Sequence, residues 1–386
     1  MRRYRWALLL TAVAAAGMAA VSAAGGHRPP ARVFDRAAES GPLATKVDRA
    51  VGDASGSAAG RAFWVGYSID RLMGEDSHIG SFTDGPGSRD ATIADILSGR
   101  SGPASSAEAS EDIRKAAQAA VEKIDRKGKP EKKVVKELGF FLKFGPDKAP
   151  LLAGFEMSTL DLSFDFEGAP LYWLGKAPEA ESLGLVSSLY GRNRGEEVCK
   201  GLIAAAGCHG TAGLALPFLG RVIGGDGTDE LRKDAAFWVG QLNDPQGLRL
   251  LVKTARSDKS EEVREGAVFG ISQVELPVAV DELIALARGA EKRDVRKQAV
   301  FWLSQMATGK AGGVLEEIAR KDGDFEIQEQ ALFALSELPD HQGVDALIKL
   351  AKTHPDPRIR KKAVFWLGEC DDPRALDAII AIIKGK

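Results

Sequence analysis

The sequence predicts an α-solenoid of helical repeats preceded by a small, mostly antiparallel α+β domain. Three observations carry this. Phe237, Phe269, Phe301, Phe333 and Phe365 recur at steps of 32 residues, inside the near-copies AAFWVGQL, AVFGISQV, AVFWLSQM, ALFALSEL and AVFWLGEC. Self-similarity at a fixed period of this length is the signature of a repeat architecture. Each copy is followed by a second apolar-periodic stretch, anchored by Leu251, Leu283, Leu315, Leu347 or Ile379. Upstream of the repeats, apolar residues alternate with polar ones at the two-residue period of strands.

The chain opens on Arg2, Arg3 and Arg5, then an Ala/Leu-rich run over 7–21, then Ser22-Ala23-Ala24. A basic start, a short apolar run and small residues for cleavage read as a secretory signal peptide over 1–24. The run is short for a spanning helix. An exported protein, periplasmic or extracellular and off the membrane once cleaved, is the expectation. Residues 25–60 are rich in Ala, Gly, Pro and Ser, and read as a flexible tether with a helix near 33–51 as its one candidate element.

Order is expected from Phe63. Phe63, Val65, Tyr67 and Ile69 alternate with Trp64, Gly66, Ser68 and Asp70, which predicts a strand. Residues 99–110 are Gly/Ser/Ala-rich and read as a mobile stretch; a helix is predicted over 111–127, ended by Gly128 and Pro130. Further strands are predicted at 138–144, 154–157, 160–166 and 171–174. Leu160, Leu162, Phe164 and Phe166 show the clearest alternation, as in a sheet with one wet face. Residues 61–176 are therefore assigned to the sheet domain.

The solenoid is assigned to 177–386. Helices near 178–190 and 195–207 are expected to form an atypical first repeat, and regular repeats run from Asp229. In the last Phe-bearing helix Ile359, Ala363, Trp366, Leu367 and Cys370 fall on one face at three- and four-residue spacing. Asp244-Pro245 and Asp372-Pro373 end one helix and start the next. Two short helices cannot bury their faces alone, whereas stacked copies can. Trp238, Trp302 and Trp366 recur every 64 residues, with Gly270 and Ala334 at the same place between them. Large-small alternation is expected to interlock adjacent helices. The chain ends on one last helix, 373–384.

Removal of 1–24, with its three Arg, takes the formal charge from −2 to −5. No basic surplus remains to hold nucleic acid. Three Cys do not make a disulfide scaffold. Cys199 and Cys208 would bridge only if Gly207 ended their helix and turned the chain back. Cys370 takes an apolar position in its repeat. The sequence holds no GxSxG, no glycine-rich phosphate loop, no HExxH and no CxxC, and no cofactor or metal is expected. Glu75-Asp76-Ser77-His78 gathers ligand-type residues, and a solvated loop is its plainer reading.

Around each Phe the segments VREGAVFGIS, VRKQAVFWLS and IRKKAVFWLG resemble HEAT repeats of the phycobilisome-lyase type, over roughly residues 178–386. With the strand-turn-strand stretch DLSFDFEGAPLYWL, the chain also resembles exported bacterial HEAT-repeat proteins. HEAT-repeat enzymes such as deoxyhypusine hydroxylase bind two irons through His-Glu dipeptides, and this chain has none; its five His are scattered. Bilin lyases of the same repeat type act inside the cell, which a signal peptide opposes. Arg232, Arg264, Arg296 and Arg360 recur in register, with Gln328 breaking the series. With Glu230, Glu262, Asp294 and Glu326 they read as Arg–carboxylate contacts between repeats, and alternatively as an anion-binding row.

The leading expectation is a non-enzymatic extracytoplasmic scaffold that binds a protein or peptide. The resemblance implies that the Phe-bearing helices line the concave side. A helical wheel places Phe365 about 150° from the buried face centred near Ala363 and Cys370, so each Phe is expected on a wet face. The candidate surface is Phe237, Phe269, Phe301, Phe333 and Phe365, edged by Gln241, Gln273, Gln305, Glu337 and Glu369. The alternative is that each ring folds sideways over Gly240, Ser272, Ser304, Ser336 or Gly368 and seals the stack. The last helix is expected either to self-associate or bind a partner, or to be shielded by Lys384, Lys386 and local packing. A second functional reading is an enzyme or accessory subunit with its site in the sheet domain and the repeats recruiting substrate.

Overall fold

The computed structural model describes residues 28–57, 61–75, 77–80, 91–99, 132–147, 151–193, 195–225, 227–306 and 309–384. The signal peptide, the helix expected over 111–127 and all but the first residue of the mobile stretch 99–110 lie outside the described residues. The chain divides into two compact units, one running to Leu214 and the other from Ala215 to Lys386.

The first unit is built on a five-stranded sheet of order β1-β5-β2-β3-β4. Its strands are β1 (Val33–Asp35), β2 (Phe63–Gly74), β3 (Lys133–Phe144), β4 (Leu152–Thr159) and β5 (Leu171–Lys176). The long ladders, β2–β3 and β3–β4, are antiparallel; β5 pairs in parallel with both β1 and β2. Helices of this unit are α1 (Leu43–Ser57), α2 (Ile93–Leu97), α3 (Glu179–Arg192) and α4 (Glu196–Gly207).

Both faces of the sheet are covered, so residues 63–69 of β2 are buried without alternation. On one face Trp64, Phe141, Leu171 and Trp173 form a core with Ile93 of α2 and with Phe166. Gly66 makes room here: a β-carbon on it would stand 3.0 Å from the Phe141 ring and 3.1 Å from Trp173. On the other face Tyr67 and Phe140 stack at 5.2 Å, and Phe155 packs against Gly201 of α4. The helices expected to open the solenoid, α3 and α4, thus lie with the sheet. Cys199 and Cys208 stand at the two ends of the continuous helix α4. At about 1.5 Å rise per residue that separation is beyond bridging.

Two expectations are corrected. The tether over 25–60 contains β1 and α1. Phe34 stacks on Tyr172 at 4.6 Å, and Leu43, Val47, Ala50 and Ala54 of α1 are buried. A three-residue strand has no periodicity to read, and the Ala/Gly-rich helix masks a narrow apolar stripe. The segment 160–166, expected as the clearest strand, is turn and irregular backbone. Its main-chain carbonyls at Leu160 and Leu162 accept from Ala94 and Ile93 at the start of α2, and Phe166 N–H donates to Arg28. The alternation marks rings that must be buried: Phe164 stacks on Phe141 at 5.0 Å and Phe166 meets it edge-on at 5.4 Å. Burial is served by a wandering loop as well as by a strand.

The second unit holds helix pairs following the end of α5 (Ala212–Ile223). They are α6 (Asp229–Gln241) with α7 (Pro245–Ser257), α8 (Glu261–Gln273) with α9 (Pro277–Gly289), α10 (Arg293–Gln305) with α11 (Gly309–Lys321), α12 (Phe325–Ser336) with α13 (Val344–Thr353), and α14 (Pro357–Glu369) with α15 (Pro373–Ile383). Local sequence fixes their starts. Thr228, Asp244, Ser260, Asp324, Asp356 and Asp372 cap N-termini with side-chain oxygens, and Pro fills the first turn of α7, α9, α14 and α15. The repeat positions Ala235, Ala267, Ala299, Ala331 and Ala363 are all fully buried, as are Leu251, Leu283, Leu315 and Leu347. Among the described residues no helix is long and apolar enough to cross a membrane.

Candidate functional site

The Phe-bearing helices α6, α8, α10, α12 and α14 each pack on the next. The tightest approach is between α6 and α8. A β-carbon on Gly270 would stand 2.6 Å from the Ala236 carbonyl oxygen, and one on Gly240 would overlap the Gly270 backbone. Side-by-side helices bring residues 32 apart into register, so the Phe row exists as a physical row.

Its environment differs from the wet face expected. Phe237, Phe269, Phe301 and Phe333 are half-buried, and only Phe365 among the five is exposed, at 55%. The reason is aromatic contact across repeats. Phe237 stacks on Phe269 at 5.6 Å, Phe269 lies 4.8 Å from Trp302, and Phe333 lies 5.1 Å from Trp366. Each of these two Trp reaches back over the preceding Phe, at the level where Gly270 or Ala334 offers no large side chain. Phe301 and Phe365 meet their own neighbours Trp302 and Trp366 edge-on at 5.0 Å. The indole Nε1 atoms of Trp302 and Trp366 are buried and find no hydrogen-bond partner among the described residues.

The polar edge is in place. Gln241, Gln305, Glu337 and Glu369 are exposed and Gln273 is half-buried. Gln241 Nε2 donates to Gln273 Oε1 at 3.4 Å, and Gln305 Nε2 donates to Ser304 Oγ at 3.2 Å.

The Arg series lies in the connections between repeats. Arg232 pairs with Asp258, Arg264 Nε donates to Asp294 at 2.7 Å, and Arg296 pairs with Asp322. Arg360 donates instead to the carbonyls of His354 and Pro355 at 2.7 and 3.0 Å. Of the acids expected to take part, Asp294 does; Asp258 and Asp322 take the other two places. Arg232 and Arg264 are buried, and a buried guanidinium with a carboxylate already on it has a structural role.

In the first unit the structure brings together groups that are 27 and 115 residues apart. Tyr67 Oη lies 3.0 Å from Ser182 Oγ, which lies 2.9 Å from His209 Nε2; His209 Nδ1 lies 2.7 Å from the Ala205 carbonyl oxygen. The carbonyl fixes the proton on Nδ1, so Nε2 accepts from Ser182 and Ser182 accepts from Tyr67. Burial raises the Tyr67 pKa and lowers that of His209. All three side chains are buried to the last few per cent, so the relay has no opening for substrate and serves the packing of α3 on the sheet. Nothing in the sequence signals it, because the three residues share no local motif. The beginning of the Glu75–His78 loop stays open to solvent; His78 Nδ1 lies 3.3 Å from Asp161, which also accepts from Lys136 Nζ at 3.1 Å. Among the described residues no three His, Cys, Asp or Glu side chains could hold a metal ion.

A stack of paired helices in 32-residue register, with buried Ala and Leu at fixed positions, defines an α-solenoid repeat protein. Its second unit is made of HEAT repeats, matched at residues 216–304 and 314–386. Among solved structures it is similar to human deoxyhypusine hydroxylase in complex with glycerol, at 19% identity over 53% of this chain and 78% of that one, with a TM-score of 0.24. It is also similar to the complex of CpcE and CpcF of phycocyanin lyase from Nostoc sp. PCC7120, at 19% identity over 40% of this chain and 97% of that one, with a TM-score of 0.30. A sequence comparison with curated proteins gives no match.

Proposed function

We propose that the chain is an exported, non-enzymatic scaffold that binds a protein or peptide partner across its Phe-bearing helices, on the concave side of the repeat stack. The observation that supports it is the half-buried aromatic row with exposed Gln and Glu side chains along one edge. Rings of this kind offer rigid apolar contact at small entropic cost, while the amides and carboxylates beside them set register. Aromatic surface left partly open along several consecutive helices is more than single exposed residues supply.

A photo-crosslinking residue at Gln305 tests it, with a second at Val278 on α9, which is also exposed. Expressed in its native host, the protein yields a discrete adduct from position 305 and none from 278. Equal labelling from both positions sinks the reading. N-terminal sequencing of the exported form checks the cleavage after residue 24.

The same reading includes self-association through α15, where Leu376, Ile380 and Ile383 stand exposed at 60%, 40% and 79%. The occupant is a second copy. Two such helices packed antiparallel about Ile380 bring Asp377 of one beside Lys384 of the other, twice by symmetry. Sedimentation of Ile380→Lys alongside the parent chain, with only the parent dimerising, supports it.

A further inference from the structure

Acidic side chains gather in the first turns of these helices, and no basic residue stands in the last turn of any of the five. Asp229, Glu230, Glu261, Glu262, Asp294 and Glu326 occupy first turns, where the helix dipole favours negative charge. At the other ends stand Gln241, Gln273 and Gln305, which are neutral. In the last two Phe-bearing helices the equivalent residue is Glu337, which caps α12, and Glu369, which ends α14. A carboxylate at a helix C-terminus faces the negative end of the dipole. Among the described residues neither Glu337 nor Glu369 has an ion-pair partner. By contrast Glu326 pairs with Lys297, Glu329 with Lys362, and Glu265 accepts from Gln298. Two exposed acids are thus kept where local physics disfavours them, and such a departure marks a site that serves something other than stability.

A second observation places an aromatic surface at the same spot. Phe365 precedes Glu369 by four residues, one turn away on the same helix face, and it is the one exposed ring of the row. Glu337 and Glu369 hold equivalent positions on α12 and α14, which pack on each other, and after burial and Asp372 both push up the half-buried Cys370 thiol. Lys361 lies on the far side of the ring, toward the helix N-terminus, and Lys362 is engaged by Glu329. The open charge on the C-terminal side of Phe365 is therefore negative.

We propose that Phe365, Glu337 and Glu369 form a seat for a basic segment of the partner protein, an Arg or Lys side chain lying on the Phe365 ring with its cation shared by the two carboxylates. The proposal rests on the reading of the Phe row as the binding face and names the chemistry that enters at one end of it. Helices in contact lie roughly 8–10 Å apart, so carboxylates in equivalent positions of α12 and α14 can both reach one guanidinium. Arg fits better than Lys, because its planar group stacks on an aromatic face while its edges donate to carboxylates. The neutral Gln241, Gln273 and Gln305 then meet an uncharged continuation of the same segment.

The test uses the full chain and a fluorescein-labelled peptide, Gly-Ala-Arg-Ala-Ala-Arg-Ala-Gly, with a citrulline-for-arginine version as its neutral match. Fluorescence anisotropy is expected to show saturable binding of the arginine peptide that weakens as salt is raised, and much weaker binding of the citrulline peptide. Glu337→Gln with Glu369→Gln is expected to lower the affinity about tenfold or more, and Phe365→Ala to lower it by a similar factor. Both changes are on exposed side chains, so the melting midpoint reports whether the fold is intact. Equal affinity for the two peptides, or an affinity untouched by the double Glu variant, overturns the proposal. So does the absence of saturable binding up to about 1 mM, the weak limit of specific recognition. Failure here with a discrete crosslink from Gln305 removes the basic seat and leaves the binding face. Arginine-peptide binding that needs Glu337 and Glu369, with no crosslink from Gln305, upholds the seat and removes the wider face.

Discussion

At the scale of single residues, Glu156 on β4 shows how packing sets chemistry. Burial pushes its carboxyl up to about 6, against a partial pull downward from Lys143 and a further push from Glu167. An acid whose folded pKa is above its unfolded value binds its proton more tightly when folded. Its stabilising contribution is complete below the unfolded value of 4.5 and is lost as pH rises through about 6. At neutral pH the ionised group therefore costs the fold up to about 2 kcal/mol. Glu156→Gln is expected to raise stability at pH 7 by no more than that, with the gain vanishing near the unfolded pKa. Urea midpoints measured across this range check it, and a variant equally stabilised at both ends of the range contradicts it. Helical spacing alone identified the fully buried Ala and Leu positions and the polar edge of the Phe row. It misjudged the Phe themselves, because a single-helix wheel does not include the Trp that a neighbouring repeat lays over the ring.

At the scale of elements, the alternating Trp decide how neighbouring helices fit. Trp302 covers Phe269 of the preceding helix where Gly270 leaves space, and Trp366 covers Phe333 beside Ala334. The side chains are half-buried, so Trp302→Ala is expected to cost about 2–3 kcal/mol, below the range for a fully buried aromatic. Because its buried Nε1 has no partner among the described residues, the indole N–H contributes nothing to offset its desolvation. Trp302→Phe, which keeps a ring over Phe269 and removes that group, is expected to cost clearly less than Trp302→Ala. Thermal melts of the two variants rank them, and equal losses would mean that the indole's polar atom is engaged. The segment 160–166 teaches the converse lesson. Its alternation reported correctly that Leu160, Phe164 and Phe166 are packed inward, and the backbone conformation was decided elsewhere, by hydrogen bonds to α2 and to Arg28. Periodicity reads burial directly and reads strand only through it.

At the scale of the whole molecule, the repeat unit was legible because each copy restates the same packing problem, and five restatements outweigh any one ambiguous window. The sheet unit states its solution once. Its parallel strand β1 and the Tyr67–Ser182–His209 relay depend on contacts across more than a hundred residues, which no local pattern announces. The solenoid also carries a longer period than 32 residues. Trp238, Gly270, Trp302, Ala334 and Trp366 alternate large and small, so the packing unit is two repeats. Deleting 293–356 removes two repeats and joins Lys292 to Pro357 at equivalent positions. Trp366 then takes the place of Trp302 over Phe269, and the alternation is kept. Deleting 293–324 removes one repeat and sets Ala334 after Gly270, which leaves Phe269 without a covering ring. In a stack stabilised by nearest-neighbour contacts, a longer array is ordinarily the more stable. Here the chain lacking 293–324, although 32 residues longer, is expected to unfold at lower urea than the chain lacking 293–356. The missing ring costs about 2–3 kcal/mol, which cancels what one extra repeat adds, and the longer chain's larger dependence on urea then sets its midpoint lower. If the longer variant proves the more stable, with a sharp single transition, the Trp alternation is incidental and each 32-residue repeat packs independently of its neighbour's size.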